Sequence, residues 1–348
     1  MIADLVFRSI AGQYQAATPP SDADLLRCIE FCDRYYLTAA FVDSMTERFG
    51  PLPLLEPHAR TQRLRLALLD EELSLATELL LRNGISPLLV KGADLARRLY
   101  RRRGLRAMGD ADVLVHPTQY EHAWQTLLQN GFFGIEPRFS HSFRSTVGRT
   151  PEGAAIDLHR QLRSEDTPEE IAAIWSRALP GRYTDLPAGV LRLSPRDHWI
   201  YLLQHAGQIH ALETPLWILD LHLAWREWLQ GPDSIESLAE EISRRRSCAA
   251  GYVATLLMGD WLQSPEVSKL SRLLASRLSP PRRLTLTRMA RMKTWFPERP
   301  LTRADLLWHR YCLRDSTAAG ASFAWKRWRR RRLECSAKKD PSCSEISA

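Results

Sequence analysis

No apolar run in this chain approaches the ~18 residues that span a bilayer, and residues 1–17 lack the basic start, apolar core and cleavage site of a secretory signal. A cytoplasmic location is the expectation from those two absences. The six cysteines (Cys28, Cys32, Cys248, Cys312, Cys335 and Cys343) follow no framework spacing, so reduced thiols are expected rather than a disulfide scaffold. Cys28 and Cys32 are placed to share a helix face, but no second Cys/His pair stands near them, so they read as core thiols and not as metal ligands. There is also no sign of wholesale disorder. A hydrophobic content of 45% and a charged content of 25% are those of a globular chain able to bury a substantial core.

Acidic charge is the scarcer sign: the formal net charge is +8, which suits an anionic partner such as a nucleotide, an RNA or a membrane surface. The excess is concentrated at Arg101–Arg103 and in Phe323–Arg332, FAWKRWRRRR. That second run can grip phosphates of RNA or an anionic surface. It can equally be a solvated helix end, since no recognised RNA-binding motif accompanies it.

The densest chemistry lies in Pro87–Val115. Ile85–Val90 is a short apolar run between Asn83-Gly84 and Lys91-Gly92, which predicts a buried strand. Ala93–Tyr100 then repeats Leu95, Ala96 and Leu99 at helical spacing. After a basic connection, Gly109–Val115 (GDADVLV) reads as a second strand whose period of 2 puts Asp110 and Asp112 on one face. Paired carboxylates repel unless a cation sits between them, and carboxylates plus substrate phosphates are the usual hold on Mg²⁺. The other reading of the pair is two solvent-facing residues opening a half-exposed strand. A third carboxylate, Asp157, sits between Ile156 and Leu158 in a later strand-like segment, with His159 on its face.

This ordered set resembles the nucleotidyltransferase fold of the DNA polymerase beta superfamily. It is more closely similar to a bacterial family of largely uncharacterised nucleotidyltransferases that carry a Lys-Gly turn, a helix ending in Tyr, an Arg a few residues on, a DxDxLV strand and a later Asp-Leu-His. Those elements are Lys91-Gly92, Leu99-Tyr100, Arg106, Asp110–Val115 and Asp157-Leu158-His159, and the likeness spans roughly residues 25–230. The resemblance implies an α+β fold with an α/β-like core, a polymerase beta-type sheet flanked by N-terminal helices and a C-terminal helical lobe. It implies transfer of a nucleoside monophosphate from a nucleoside triphosphate, ATP foremost, to an acceptor of unspecified kind (small molecule, peptide, protein or RNA). Asp110, Asp112 and Asp157 would be the catalytic and metal-binding carboxylates of a two-metal Mg²⁺ site, with Mn²⁺ as a substitute. Lys91, Gly92 and Arg106 would contact the triphosphate, and His159 the substrate or the metal shell. The rival expectation is a protein that keeps the fold without catalysis and serves as a basic nucleic-acid-binding or regulatory module.

The remaining pattern predicts helices over 1–80, notably Ala23–Tyr36 and Ala59–Asn83, and a further helix from Pro117 to Asn130. Strands are expected at Phe132–Ile135, Phe139–Val147 and Ala154–Gln161, with a hairpin-type turn at Arg149–Gly153. From Pro168 onward the pattern is helical, with Ser194 capping a helix that begins at Pro195. The implied division is an N-terminal helical region at 1–80, a catalytic core at 81–165, a helical domain at 166–322 and a basic, flexible tail at 323–348. His198, His205, His210, Asp220 and His222 lack the adjacent His-Asp pair of helical phosphohydrolases, which argues against a second metal site.

Overall fold

The computed structural model describes residues 2–134, 142–145, 155–163, 166–229, 235–264 and 267–316. The hairpin turn expected at Arg149–Gly153, the outer parts of the flanking strands and the basic run at 323–332 lie outside them. The chain divides into two compact units, Met1–Leu202 with Thr214–Pro232, and Leu203–Glu213 with Asp233–Ala348. Among the described residues no helix is long and apolar enough to cross a membrane.

The first unit opens with helices α1 (Ile2–Ile10), α2 (Asp22–Arg34), α3 (Thr38–Phe49) and α4 (Glu56–Arg82). Ser21 caps α2 by accepting from the Asp24 amide at 3.2 Å, as Ser does at a helix start. Cys28 and Cys32 are fully buried free thiols of that helix, in keeping with a packing role. Next come β1 (Leu88–Leu89), α5 (Lys91–Arg98), β2 (Asp110–Leu114), α6 (Tyr120–Gln129), β3 (Phe132–Gly134), β4 (Ser142–Ser145) and β5 (Ala155–His159). The chain then runs through α7 (Pro168–Ser176), β6 (Leu179–Pro180), β7 (Leu191–Arg192), α8 (Pro195–Gln204) and α9 (Pro215–Trp228). Ser194 and Pro195 start α8 as expected, the Ser194 hydroxyl accepting from the Asp197 amide at 3.3 Å.

All seven strands form one mixed sheet in the order β3-β4-β5-β2-β1-β7-β6, so the fold is α+β as expected. Two local expectations are corrected. The run Ile85–Val90 pairs only at Leu88 and Leu89, and the following helix starts at Lys91 rather than Ala93. The segment after Pro168 is not helical throughout, because β6 and β7 complete the sheet. β7 lies parallel to β1, Leu89 opposite Arg192. Strands of two residues are too short to show a period of 2, which is why the sequence hides them.

The sheet has two differently used faces. On one, Ala111, Val113, Val115, Ile156 and Leu158 pack against Leu69, Leu73, Ala76 and Leu80 of α4 and Ala123 and Leu127 of α6. On the other, Leu88, Val90 and Leu114 meet Ile174 of α7, Leu193 and Tyr201 of α8. Asp110 and Asp112 alternate with the first set, so they share the second face with Leu114. Arg97 of α5 ties the layers together through Asp70 at 2.6 Å and Asp185 at 2.9 Å. The Arg101–Arg103 cluster is not a free basic patch, since Arg101 and Arg102 pair with Asp43, and Arg101 also with Glu47.

The second unit includes α10 (Ile235–Arg244), α11 (Cys248–Leu262), α12 (Ser268–Ser276), α13 (Pro280–Met289), α14 (Met292–Trp295) and α15 (Arg303–Cys312). The apolar α11 is its centre, with eleven buried residues including Val253, Leu257, Met258 and Trp261. Asp315 accepts from the Cys248 and Ala249 amides at its N-terminus. Here His309 stacks on Trp295 with ring centroids 4.0 Å apart, and its Nδ1 is buried without a hydrogen-bond partner. Burial pulls this imidazole down to about 4. An unfolded histidine titrates near 6.5, so as pH falls the unfolded chain takes up the proton first. Stability of this unit is therefore expected to be level above pH ~6.5 and to fall by up to about 3 kcal/mol between pH ~6.5 and ~4. Urea unfolding across that window should show the loss in the native chain, and His309→Phe should flatten it.

Candidate active site

The parallel pairing of β2 with β5 sets Asp112 directly opposite Asp157, and Leu114 opposite His159. Side chains in register across neighbouring strands point to the same face. Residues 45 positions apart in sequence are thereby brought into one cluster, where ligand atoms of Asp112, Asp157 and His159 all lie within 4.8 Å of one another. Asp110 is paired with Ala155 and stands two residues further out, at the exposed end of β2.

Asp112 is the hub. Its Oδ1 receives the Lys91 ammonium at 2.5 Å and His159 Nε2 at 2.8 Å, and the residue is 3% exposed. Burial alone would raise its carboxyl, but Lys91 and His159 outweigh that and hold it well below the usual carboxylate range. Burial likewise opposes the charged form of Lys91, yet Asp112, Tyr201 and Asp110 raise that ammonium above the ordinary lysine value. The Tyr201 hydroxyl hydrogen-bonds the same ammonium. Partial burial raises the Asp110 carboxyl to about 6, together with the Asp112 and Asp157 charges. Because Asp110 is solvent-accessible, the repulsion is the part of that shift we weight most, and it is the part a bound cation relieves.

Lys91 is held at both ends. Its backbone has φ of 51°, a left-handed conformation uncommon for a residue with a side chain. Its amide donates to Nε2 of His198, a residue of α8, at 3.1 Å. Gly92 follows, and a Cβ there would stand 2.7 Å from Met108 Sδ and overlap the Arg106 guanidinium, so a larger residue would have to displace both side chains.

Arg106 is placed differently from expectation. It is 7% exposed, and it donates to Asp220 of α9 at 2.8 Å and to the Ala107 carbonyl at 2.9 Å. Asp220 also receives the Tyr100 hydroxyl at 2.6 Å. Arg106 thus braces the Gly92 backbone from beneath, and its guanidinium is already committed within the protein.

Of the residues named from sequence, Asp112, Asp157, His159 and Lys91 converge, Asp110 flanks them, and Gly92 and Arg106 support the Lys91 turn. Sequence reasoning missed Tyr201, Asp94 and the working partners of His198 and Asp220. One signal was present: an Asp inside the apolar run Leu216–Leu221 demands a buried partner. His198 contacts the Lys91 amide and Asp220 the Arg106 guanidinium, so each has a partner within the protein.

A divalent cation fits this donor set. Two carboxylates and an imidazole lie within reach of one point, a third carboxylate is under repulsion beside them, and carboxylate oxygens suit Mg²⁺ or Mn²⁺. Carboxylates gathered on a sheet face beside a glycine-containing helix start are a donor set compatible with metal-assisted chemistry. The family model described as uncharacterised nucleotidyltransferase matches residues 43–263. That is well over half of the chain, which therefore belongs to this family. No curated protein and no solved structure matches significantly.

Proposed function

We propose that this chain is a divalent-cation-dependent nucleotidyltransferase that moves a nucleoside monophosphate from a nucleoside triphosphate, ATP foremost, to a hydroxyl-bearing acceptor. The observation that carries the reading is the in-register pairing of Asp112 with Asp157, which makes one cluster of the β2 and β5 carboxylates. Asp110, Asp112 and Asp157 would hold Mg²⁺, with His159 orienting Asp112 through its 2.8 Å contact. The bound cation would neutralise the triphosphate oxygens and favour ionisation of the acceptor hydroxyl.

The chain's own groups do the rest. The acceptor oxygen attacks the α-phosphorus, the bond from that phosphorus to the β-phosphate bridging oxygen breaks, and pyrophosphate leaves. The hydroxyl proton passes to a general base, the role Asp157 takes where it does not complete the metal site. The Lys91 ammonium is the cation nearest the carboxylates and would offset charge developing on the phosphates. Arg106 enters as the brace that keeps the Gly92 backbone in place, rather than as a free phosphate contact.

Calorimetric titration of the four ribonucleoside triphosphates with and without Mg²⁺, on the native chain and on Asp110→Asn, tests this. Metal-dependent binding of one triphosphate, weakened about tenfold or more in the variant, is the expected result. Nucleic-acid binding with no triphosphate binding would replace the transferase with the non-catalytic module.

A further inference from the structure

Behind Lys91 lies a pair of side chains that the transfer chemistry does not use. Asp94 and His198 are both 0% exposed, and they come from α5 and α8. His198 Nδ1 lies 3.1 Å from Asp94 Oδ2, while its Nε2 accepts from the Lys91 amide at 3.1 Å. The other oxygen of Asp94 receives the Tyr183 hydroxyl at 2.6 Å, and Arg98 donates to Oδ2 at 3.1 Å. The same Arg98 lies over Trp228 at 4.7 Å, and Trp228 covers the His198 ring with centroids 5.1 Å apart.

We propose that Asp94 and His198 form the positioning pair of the site: Asp94 fixes His198 as the Nδ1–H tautomer, so that Nε2 holds the Lys91 amide and keeps that residue's strained backbone aimed at Asp112. This rests on the reading of Lys91 and Asp112 as working parts of the site. The tautomer follows from two sides. Nε2 faces an N–H donor and must present its lone pair, so the ring proton belongs on Nδ1, and the group facing Nδ1 is a carboxylate. A ring with its proton on Nε2 would set two donors against each other at Lys91 and leave Nδ1 facing a carboxylate with no proton between them. The left-handed conformation of Lys91 is costly for a residue with a side chain and persists where neighbours impose it. The His198 contact does so at the amide, and the Asp112 and Tyr201 contacts hold the other end of the side chain.

The test uses the full chain. In protein labelled with ¹⁵N-histidine, long-range ¹H–¹⁵N correlation reports which ring nitrogen carries the proton, and His198→Phe identifies the His198 signals by their loss. Wild type is expected to show Nδ1–H, and the near-isosteric Asp94→Asn to move the proton to Nε2. The Lys91 amide, followed with ¹⁵N-lysine, should shift in both variants. Affinity for Mg²⁺–nucleotide should fall about tenfold or more in His198→Phe and Asp94→Asn. It should stay within about threefold in His198→Gln, whose amide oxygen can accept from Lys91 and whose ring loss would hurt equally if the role were packing alone. A proton on Nε2 in wild type, or an unmoved Lys91 amide in His198→Phe, overturns the proposal. Should the native chain bind no nucleotide, the transferase reading falls, while the ring tautomer and the Lys91 amide still decide this one.

Discussion

Asp112→Asn is expected to lower nucleotidyl transfer by at least about a thousandfold, roughly 4 kcal/mol of transition-state stabilisation, and also to destabilise the fold. The second effect follows from the site's construction. Asp112 is 3% exposed and is the acceptor for the Lys91 ammonium, whose side chain is itself 15% exposed. Removing one partner of a buried pair leaves an uncompensated charge, at a cost of about 3–5 kcal/mol in a closed interior. Here the lower end is expected, because Asp110 and Asp157 stand close enough to take part of the charge. A double variant, Asp112→Asn with Lys91→Met, should recover most of the lost stability and none of the activity. Urea unfolding of the three proteins beside a radiolabelled transfer assay checks both statements. A single variant as stable as wild type would mean that Lys91 and Asp112 do not form a buried charge pair.

Asp220→Ala carries the largest expected stability loss, although Asp220 lies away from the carboxylate cluster. Its 1%-exposed carboxylate accepts from both Arg106 and Tyr100. Burial disfavours the charge on Arg106, and Asp220 more than restores it. Without that carboxylate the buried Arg106 guanidinium keeps only the Ala107 carbonyl and the half-buried Tyr100 hydroxyl loses its acceptor, a loss of about 3–5 kcal/mol. For a unit of this size that is roughly 10 °C in melting temperature. Arg106 would also lose the partner that holds its guanidinium against Gly92, so residual nucleotide affinity should fall with the melt. Replacing both Arg106 and Asp220 with Leu should restore much of the stability, whereas replacing Asp220 alone with Leu should not. Calorimetric melts of the two proteins decide between these outcomes.

Much of this site was legible in the sequence, because a period of 2 needs no tertiary information. Asp110 and Asp112 were placed on one face of β2, and Asp157 and His159 on one face of β5, from alternation alone. That Asp157 belongs to one site with Asp110 and Asp112 was supplied by family resemblance rather than by periodicity. The supporting contacts were not legible, for a physical reason. Lys91 meets His198 across 107 residues, and Arg106 meets Asp220 across 114, and no local pattern encodes pairings at that range. Arg106 therefore read as a phosphate ligand from its spacing, with no hint of its burial against Asp220. The strands β6 and β7 escaped notice because two residues cannot display alternation. The longer amphipathic helices were easier to read: α2 and α4 end within two residues of where their apolar spacing puts them.

The reach of the Lys91–His198 contact also orders events during synthesis. The β2 and β5 carboxylates are all present once residue 159 has left the ribosome, but the imidazole and phenol that hold Lys91 lie at 198 and 201. A nascent chain paused between those points would carry its acidic cluster without the clamp that aims its ammonium. Bringing α8 back to a turn 107 residues earlier closes a long loop, a slow and entropically costly step compared with forming a helix. Competence for chemistry should therefore arrive late, as a gain separate from the appearance of secondary structure, in the final stage of folding of the first unit.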